Sequence, residues 1–179
     1  LVMIGIGLIV LAGLAIVILL EPSEASGETD VREFPSVVPV QVNFAAPELN
    51  LTDIRGNPVS LSEYKGQIVL VNNWAIWCPP CKAEMPVLQS YYNDHKGKGF
   101  TIIAIEAGEP ETEVKAFIEQ YGLTFPVWPD QESKALVAFR NNSLPSSYVL
   151  DRNGQVRYTW TGAINRDMLE KYITPMMEE

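Results

Sequence analysis

The sequence predicts an α/β domain with a mixed central sheet, helices on both faces of that sheet and an N-terminal β-hairpin extension. Two mostly apolar runs, QIVLVNNW and FTIIAIEA, have the composition of central strands that are covered on both sides. A helical pattern follows each run, and the remaining chain alternates between extended and helical patterns. This alternation of strands and helices after the hairpin, with a second hairpin near its end, implies parallel and antiparallel strands in one sheet.

The first predicted element is the hairpin. It is predicted because apolar and polar residues alternate on both sides of Arg55-Gly56-Asn57-Pro58. After the first apolar strand, the pattern is helical from Pro79 to about His95, with proline tolerated in the first turn. Pro86 should kink this helix because proline lacks the N–H donor. After the second strand, EPETEVKAFIEQYG predicts a helix with an acidic start that is closed by Gly122.

The last third of the chain continues the alternation. FPVWPD predicts a short extended segment and QESKALVAFR a helix. SSYVLDRNGQVRYTWTG predicts a hairpin that turns at Asp151 to Gly154. NRDMLEKYITPMM predicts a final amphipathic helix, opened by Asn165 as its N-cap.

The N-terminal part has a different character from this domain. Residues 1–20 are apolar and uncharged, and twenty residues at ~1.5 Å rise cover ~30 Å, the thickness of the hydrocarbon core. We expect a transmembrane anchor; a signal peptide is the alternative, because Ser23 and Ala25 offer a small-residue cleavage pattern. Residues 21–39 predict an acidic flexible linker, and residues 40–179 a single folded domain.

The composition limits the possible partners and cofactors. The chain has 22 acidic residues against 13 lysines and arginines, a net charge of −9 that disfavours nucleic acid as a partner. It contains two cysteines and one histidine, too few for a zinc site with about four ligands. We therefore expect no nucleic acid partner, no metal site and no cofactor.

The two cysteines, Cys78 and Cys81, lie where the first apolar strand gives way to a helix N-terminus. The helix dipole and the unpaired N–H groups stabilise an anion there, so Cys78 should react as the thiolate. A purely structural disulfide between these residues would close a very small loop and stabilise little. The spacing therefore favours a redox-active dithiol, with Cys81 placed to resolve a mixed disulfide.

Two stretches, VLVNNWAIWCPPCKAEMP and NSLPSSYVLDRNGQV, resemble thioredoxin-like proteins. More narrowly, they resemble the membrane-anchored TlpA/ResA group, whose domains are grouped with the redoxin and AhpC/TSA families. The resemblance covers about residues 44–175. It implies a thioredoxin-like fold and a thiol-disulfide oxidoreductase. It also implies a single-pass protein of the cell membrane, with the catalytic domain on the periplasmic or extracellular side.

The resemblance assigns roles to residues around the cysteines. It makes Cys78 the exposed nucleophile, Cys81 the buried resolving thiol and Glu84 the group that assists proton transfer. Glu84 lies three residues after Cys81 on the same helix face, so its side chain can approach Cys81. The alternative is that Glu84 is only a solvated helix residue. Thioredoxins proper have a buried aspartate at the position of Asn72, which cannot titrate, so Glu84 is the nearest acid or base.

The resemblance also implies a substrate-binding surface. Leu144-Pro145 resembles the cis-proline loop that faces the cysteines, where the backbone of Leu144 would bind an extended substrate by strand addition. Trp77 is a candidate for substrate contact beside the thiols, together with Pro79 and Pro80 between them.

Four positions need separate predictions. Asn73 stands where the group usually has an aromatic residue, and Glu106 where it more often has an uncharged polar one. We expect Glu106 and Glu109 to face water, although both could lie near the thiols. His95, near a helix end, is expected at the surface.

The resemblance suggests partners but leaves the direction of electron flow open. It implies a substrate protein with a reducible disulfide, such as apocytochrome c or an oxidase copper-site protein, and a membrane electron donor of the DsbD/CcdA type. A disulfide-donating oxidase is an alternative, because the two prolines between the cysteines do not set the direction. A Cu(I) metallochaperone for oxidase assembly is another, because thiolates are soft ligands that suit Cu(I).

Overall fold

The computed structural model describes residues 35–178, which contain a larger and a smaller β-sheet. The larger sheet has six strands: Val40–Ala45 (β1), Ile68–Trp74 (β4), Phe100–Ala107 (β5), Val127–Asp130 (β6), Ser146–Leu150 (β7) and Gln155–Thr161 (β8). The smaller sheet is the predicted hairpin, Asn50–Thr52 (β2) and Pro58–Ser60 (β3). The six strands lie in the order β1-β8-β7-β4-β5-β6.

The helices of this part of the chain pack around the larger sheet. They are Pro79–His95 (α1), Glu111–Tyr121 (α2), Lys134–Ala138 (α3), Arg166–Tyr172 (α4) and Thr174–Glu178 (α5), with a 3₁₀ helix at Leu61–Tyr64. The predicted boundaries of α1 are confirmed, and α2 ends at Gly122, whose φ of 62° is the left-handed conformation that favours glycine.

The two central strands place the site. β4 pairs with β5 in parallel and with β7 antiparallel, so the predicted mixed sheet is confirmed. Leu70 and Trp74 of β4 belong to the core under α1, α2 and α4. Val69 and Val71 point to the opposite face and belong to a second core with α3. Every residue of β4 and β5 is buried, as the apolar runs predict.

The N-terminal edge of the sheet differs from the prediction. β1 was not predicted, yet it pairs antiparallel with β8, so the β2-β3 hairpin is not the first element. Five of the six β1 residues are exposed, and a strand without a buried face leaves no alternation in the sequence.

Two predicted helices are shorter than expected. QESKALVAFR forms a helix only over Lys134–Ala138. The predicted last helix is divided into α4 and α5, with Ile173 between them. Pro175 explains this break, because its ring would clash with the carbonyl of Lys171 if the helix continued.

The end of the predicted linker lies against the domain. The Val37 amide donates to the Ala163 carbonyl (3.1 Å), and the Asn165 amide donates to Ser36 Oγ (3.0 Å). The rest of the predicted linker and the predicted anchor, residues 1–34, lie outside the described residues. Among the helices of residues 35–178, none has the length and the apolar character needed to cross a bilayer.

Candidate active site

The cysteine motif lies in the connection between β4 and α1. A hydrogen bond from the Cys78 amide to the Ala75 carbonyl (3.2 Å) closes a turn after Trp74. Cys78 is the N-cap of α1, and its Sγ accepts a hydrogen bond from the Cys81 amide (3.3 Å). The two sulfurs form a disulfide with an S–S distance of 2.07 Å. The cysteines therefore occupy the strand-to-helix junction that the sequence predicts.

The exposure of Cys78 differs from the expectation. In the disulfide form only 3% of Cys78 is accessible, and Cys81 is fully buried. The Cys78 sulfur is turned inward because it is bonded to Cys81 and caps the helix. The exposed residue beside the disulfide is Trp77, at 63%, and Pro79 is exposed as well. Trp77 and Pro79 therefore form the exposed surface next to the disulfide.

Glu84 is buried on the first turns of α1, with 1% of its surface accessible. Its Oε1 accepts a hydrogen bond from Asn72 Nδ2 (2.8 Å), and its Oε2 accepts one from the Ile164 amide (3.3 Å). Burial raises the pKa of Glu84 to about 8, against the opposing effect of these two hydrogen bonds. Glu84 is thus no solvated helix residue, and its pKa suits proton exchange near neutral pH.

Asn72 connects Glu84 to the neighbouring strand. This fully buried amide lies opposite Ser147 in the β4-β7 ladder, and its Nδ2 donates to Ser147 Oγ (3.0 Å) as well as to Glu84. An ionised aspartate at this position would repel Glu84, whereas the amide donates to it. Ser147 and Ile164 were not identified from the sequence, because they lie 75 and 80 residues from the groups they contact.

The predicted cis-proline loop leads into β7, next to the cysteine turn. The Leu144-Pro145 peptide bond is cis, as predicted, and the Pro145 carbonyl accepts a hydrogen bond from the Gly162 amide (2.8 Å). β7 starts at Ser146, which pairs with Asn73 near the end of β4. Because β4 and β7 are antiparallel, the loop before β7 and the cysteine turn after β4 lie at the same end of these two strands.

Glu106 was expected to face water, and this prediction is wrong. Glu106 is fully buried near the end of β5, where it pairs with Trp74 of β4. Its Oε1 accepts a hydrogen bond from the Ile76 amide (3.4 Å), and its Oε2 accepts one from the Glu109 amide (3.1 Å). Burial raises the pKa of Glu106, and the carboxylates of Glu109 and Asp130 add to this effect. Glu109 itself is partly buried.

His95 is also buried rather than on the surface, with 7% accessible. Its ring lies 4.3 Å from the Tyr91 ring, and its Nε2 lies 3.4 Å from Glu170 Oε1 on α4. The packing of α4 against the end of α1 explains the burial. His95 belongs to the end of α1 remote from the cysteines and is not part of the site. Within residues 35–178, no group of three or more His, Cys, Asp or Glu side chains is arranged to hold a metal ion.

Comparisons with known proteins point to the same chemistry. Residues 42–159 match the AhpC/TSA family. The thiol-disulfide oxidoreductase ResA of Geobacillus kaustophilus is 36% identical over 140 residues, which cover 78% of this chain and 80% of that protein. ResA of Bacillus anthracis is 36% identical over 159 residues, covering 88% of this chain and 92% of that protein. A structure described as the thiol:disulfide interchange protein DsbE of Chlorobium tepidum has a TM-score of 0.70 and 28% identity, covering 75% of this chain and 96% of that one.

Proposed function

This chain belongs to the AhpC/TSA family and is a thiol-disulfide oxidoreductase with a thioredoxin-like fold, and from this premise we propose that it reduces protein disulfides outside the cytoplasm. The observation that carries the proposed exchange chemistry is the position of Cys78 as the N-cap of α1. The dipole and the free N–H groups of the helix favour a negatively charged sulfur at this place.

In the proposed reaction, the Cys78 thiolate attacks one sulfur of a substrate disulfide. A Cys78–substrate mixed disulfide forms, and the other substrate sulfur leaves as a thiol once it is protonated. Cys81 loses its proton and attacks the Cys78 sulfur, which releases the second substrate thiol and forms the Cys78–Cys81 disulfide. Two electrons pass from the dithiol to the substrate.

Glu84 is proposed to exchange the proton of Cys81 during the second step. Two features support this role: the carboxyl group lies three residues after Cys81 on the same helix, and burial raises its pKa to about 8. A buried carboxyl with this pKa can take up a proton near neutral pH and return it later.

The proposed substrate is a protein disulfide in cytochrome c maturation or in the assembly of an oxidase copper site. A substrate segment would bind along Leu144 and Pro145 and contact Trp77 with Pro79 and Pro80. The exposed Trp77 side chain supports such a surface, as does the position of the Leu144-Pro145 loop directly before β7, which pairs with the end of β4. A membrane protein of the DsbD/CcdA type is proposed to return the dithiol to its reduced form, and residues 1–20 are proposed to anchor the chain in that membrane.

A trapping experiment tests the exchange reaction and identifies the substrate. Cys81→Ser should hold the mixed disulfide in cells, because no second thiol is left to resolve it. The matched control is the Cys78→Ser/Cys81→Ser double variant, which should trap nothing. We expect Cys78-dependent adducts, with the captured protein identified by mass spectrometry. If no adduct depends on Cys78, or if the protein forms a tight Cu(I) complex without reducing disulfides, the proposal is wrong.

Equilibration with glutathione tests the direction of electron flow. A reductant should have a reduction potential well below that of strong oxidants such as DsbA, about −120 mV. A measured potential near that value would instead identify a disulfide-donating oxidase.

A further inference from the structure

A second buried carboxylate, in addition to Glu84, lies next to the cysteine turn. Glu106 is fully buried, and its two oxygens accept hydrogen bonds from the amides of Ile76 and Glu109. Ile76 is the second residue of the turn that the hydrogen bond from Cys78 to Ala75 closes. One oxygen of Glu106 is thus hydrogen-bonded to the four-residue turn Ala75–Cys78, which ends in the nucleophilic cysteine.

The hydrogen bonds indicate the charge state in which Glu106 is built into the fold. Each oxygen accepts a hydrogen bond from a backbone N–H group. An ionised carboxylate accepts at both oxygens, whereas protonation of one oxygen would weaken the hydrogen bond that it accepts. The groups of like charge around it are Glu109 on its own segment and Asp130 on β6. Glu84 lies on the same face of the central strands, where it contacts Asn72.

We propose that Glu106 is a positioning residue that holds the Ala75–Cys78 turn and whose negative charge makes the dithiol a stronger reductant. This inference rests on the proposed function and adds a determinant of its redox potential. The ends of a four-residue turn lie within about 7 Å of each other, and the carboxylate that is hydrogen-bonded to Ile76 therefore belongs to the same short turn as Cys78.

The sign of the effect follows from the charges of the two redox states. The reduced form carries a thiolate at Cys78, whereas the disulfide carries no charge. A fixed carboxylate in a buried setting repels the thiolate and leaves the disulfide unaffected. The charge therefore shifts the equilibrium toward the disulfide, which means that the dithiol gives up its two electrons more readily.

The test compares Glu106→Gln with Glu109→Gln. The first variant keeps the shape of the side chain and removes the charge at Ile76. The second removes a neighbouring charge and leaves the Glu106 hydrogen bonds in place. After equilibration with a glutathione redox buffer at pH 7, we expect Glu106→Gln to shift the ratio of dithiol to disulfide about tenfold toward the dithiol, equivalent to about 30 mV. The fraction of Cys78 present as thiolate should rise in parallel, and Glu109→Gln should change the ratio less than threefold.

These readouts need no substrate, so their failure is distinguishable from a failure of the proposed function. A Glu106→Gln variant with the wild-type ratio, or with a shift no larger than that of Glu109→Gln, would overturn the inference.

A second measurement uses the wild-type protein and covers the case in which Glu106→Gln does not fold. Coupling between two sites is reciprocal, so the thiolate must raise the pKa of Glu106 by the same factor by which Glu106 disfavours the thiolate. The carboxyl carbon of Glu106, followed by NMR titration, should therefore titrate at higher pH in the reduced protein than in the disulfide form. Identical titrations in both states would also overturn the inference.

Discussion

The first and the last residues of the two central strands are equally buried but differ in chemistry. The first four residues of β4, Ile68–Val71, are apolar and at most 2% exposed. The next two residues of the strand are Asn72 and Asn73, and the neighbouring strand carries Glu106 near its end, all fully buried. Burial of apolar surface stabilises the fold, whereas a buried polar group costs free energy unless it is hydrogen-bonded.

This difference separates an apolar half of the central strands, which contains Ile68–Val71, from a polar half, which contains Asn72, Asn73 and Glu106. The two halves contribute different things. The apolar half packs into the two cores and needs no specific partner atoms. The polar half takes its hydrogen-bond partners from other parts of the chain, namely Ser147 on β7, the Ile164 amide and the Ile76 amide. The polar half therefore adds little stability of its own and holds the groups that surround the disulfide. Variants in the two halves should separate activity from stability.

The largest effect is expected from Glu84→Gln, because the Glu84 carboxyl group on α1 is hydrogen-bonded to Asn72 of the polar half. If Glu84 exchanges the proton of Cys81, its loss should lower the rate of disulfide reduction by about 10²- to 10⁴-fold, the usual contribution of a general acid or base. Reduction of a model disulfide measured across pH checks this, and the rate dependence that titrates near pH 8 should disappear. An unchanged rate and pH profile would exclude Glu84 from the proton exchange.

The same carboxyl should make the stability of the oxidised protein depend on pH. The pKa of Glu84 is raised in the folded state to about 8, from 4.5 in the unfolded chain. Between these values the folded state retains a proton that the unfolded state has lost. This contribution to stability is therefore complete below about pH 4.5 and is lost as the pH rises to about 8, by at most ~1.4 kcal/mol per pH unit. Urea unfolding across this range should show a slope that Glu84→Gln reduces.

The next effect concerns the apolar half, where Leu70→Ala should lower the free energy of unfolding by about 2–5 kcal/mol. Leu70 is fully buried in the core under α1, so its truncation removes apolar contacts and leaves a cavity. Urea unfolding measures the change. The rate of disulfide reduction per folded molecule should stay at the wild-type value, because no hydrogen bond of the site is touched.

A smaller loss of stability, about 1–3 kcal/mol, is expected from Asn72→Leu. The substitution keeps a side chain of similar size but removes the amide that donates to Glu84 and Ser147. Because this hydrogen bond lowers the pKa of Glu84, NMR titration should find that pKa higher in the variant. If neither stability nor the titration of Glu84 changed, Asn72 would have no part in holding the carboxyl group.

The smallest effect is expected from Asn73→Leu, the matched control for Asn72→Leu. Asn73 points to the other face of β4 and makes one long hydrogen bond, to Ser146 Oγ (3.4 Å), whereas Asn72 makes two shorter ones. Replacing it with an apolar residue should change the free energy of unfolding by less than about 1 kcal/mol. A loss as large as that of Asn72→Leu would mean that both asparagines are structural and that the two faces do not differ.

Much of the fold was predictable because it depends on local patterns. The buried runs of β4 and β5, the boundaries of α1, the end of α2 at Gly122 and the turn of the β7-β8 hairpin are confirmed. β1 was missed because an exposed edge strand has no alternation. The division of the last helix was missed because Pro175 was counted within a helical pattern that it ends.

For the site, the sequence was sufficient for the dithiol, its place at a helix N-terminus and the cis-proline loop, because each of these lies within one short stretch of chain. The burial of Glu106 and His95 was decided only by the tertiary structure. A polar side chain is buried when distant segments cover it and supply its hydrogen-bond partners. Those segments lie 30 residues away for Glu106 and 75 for His95, so no local pattern records them.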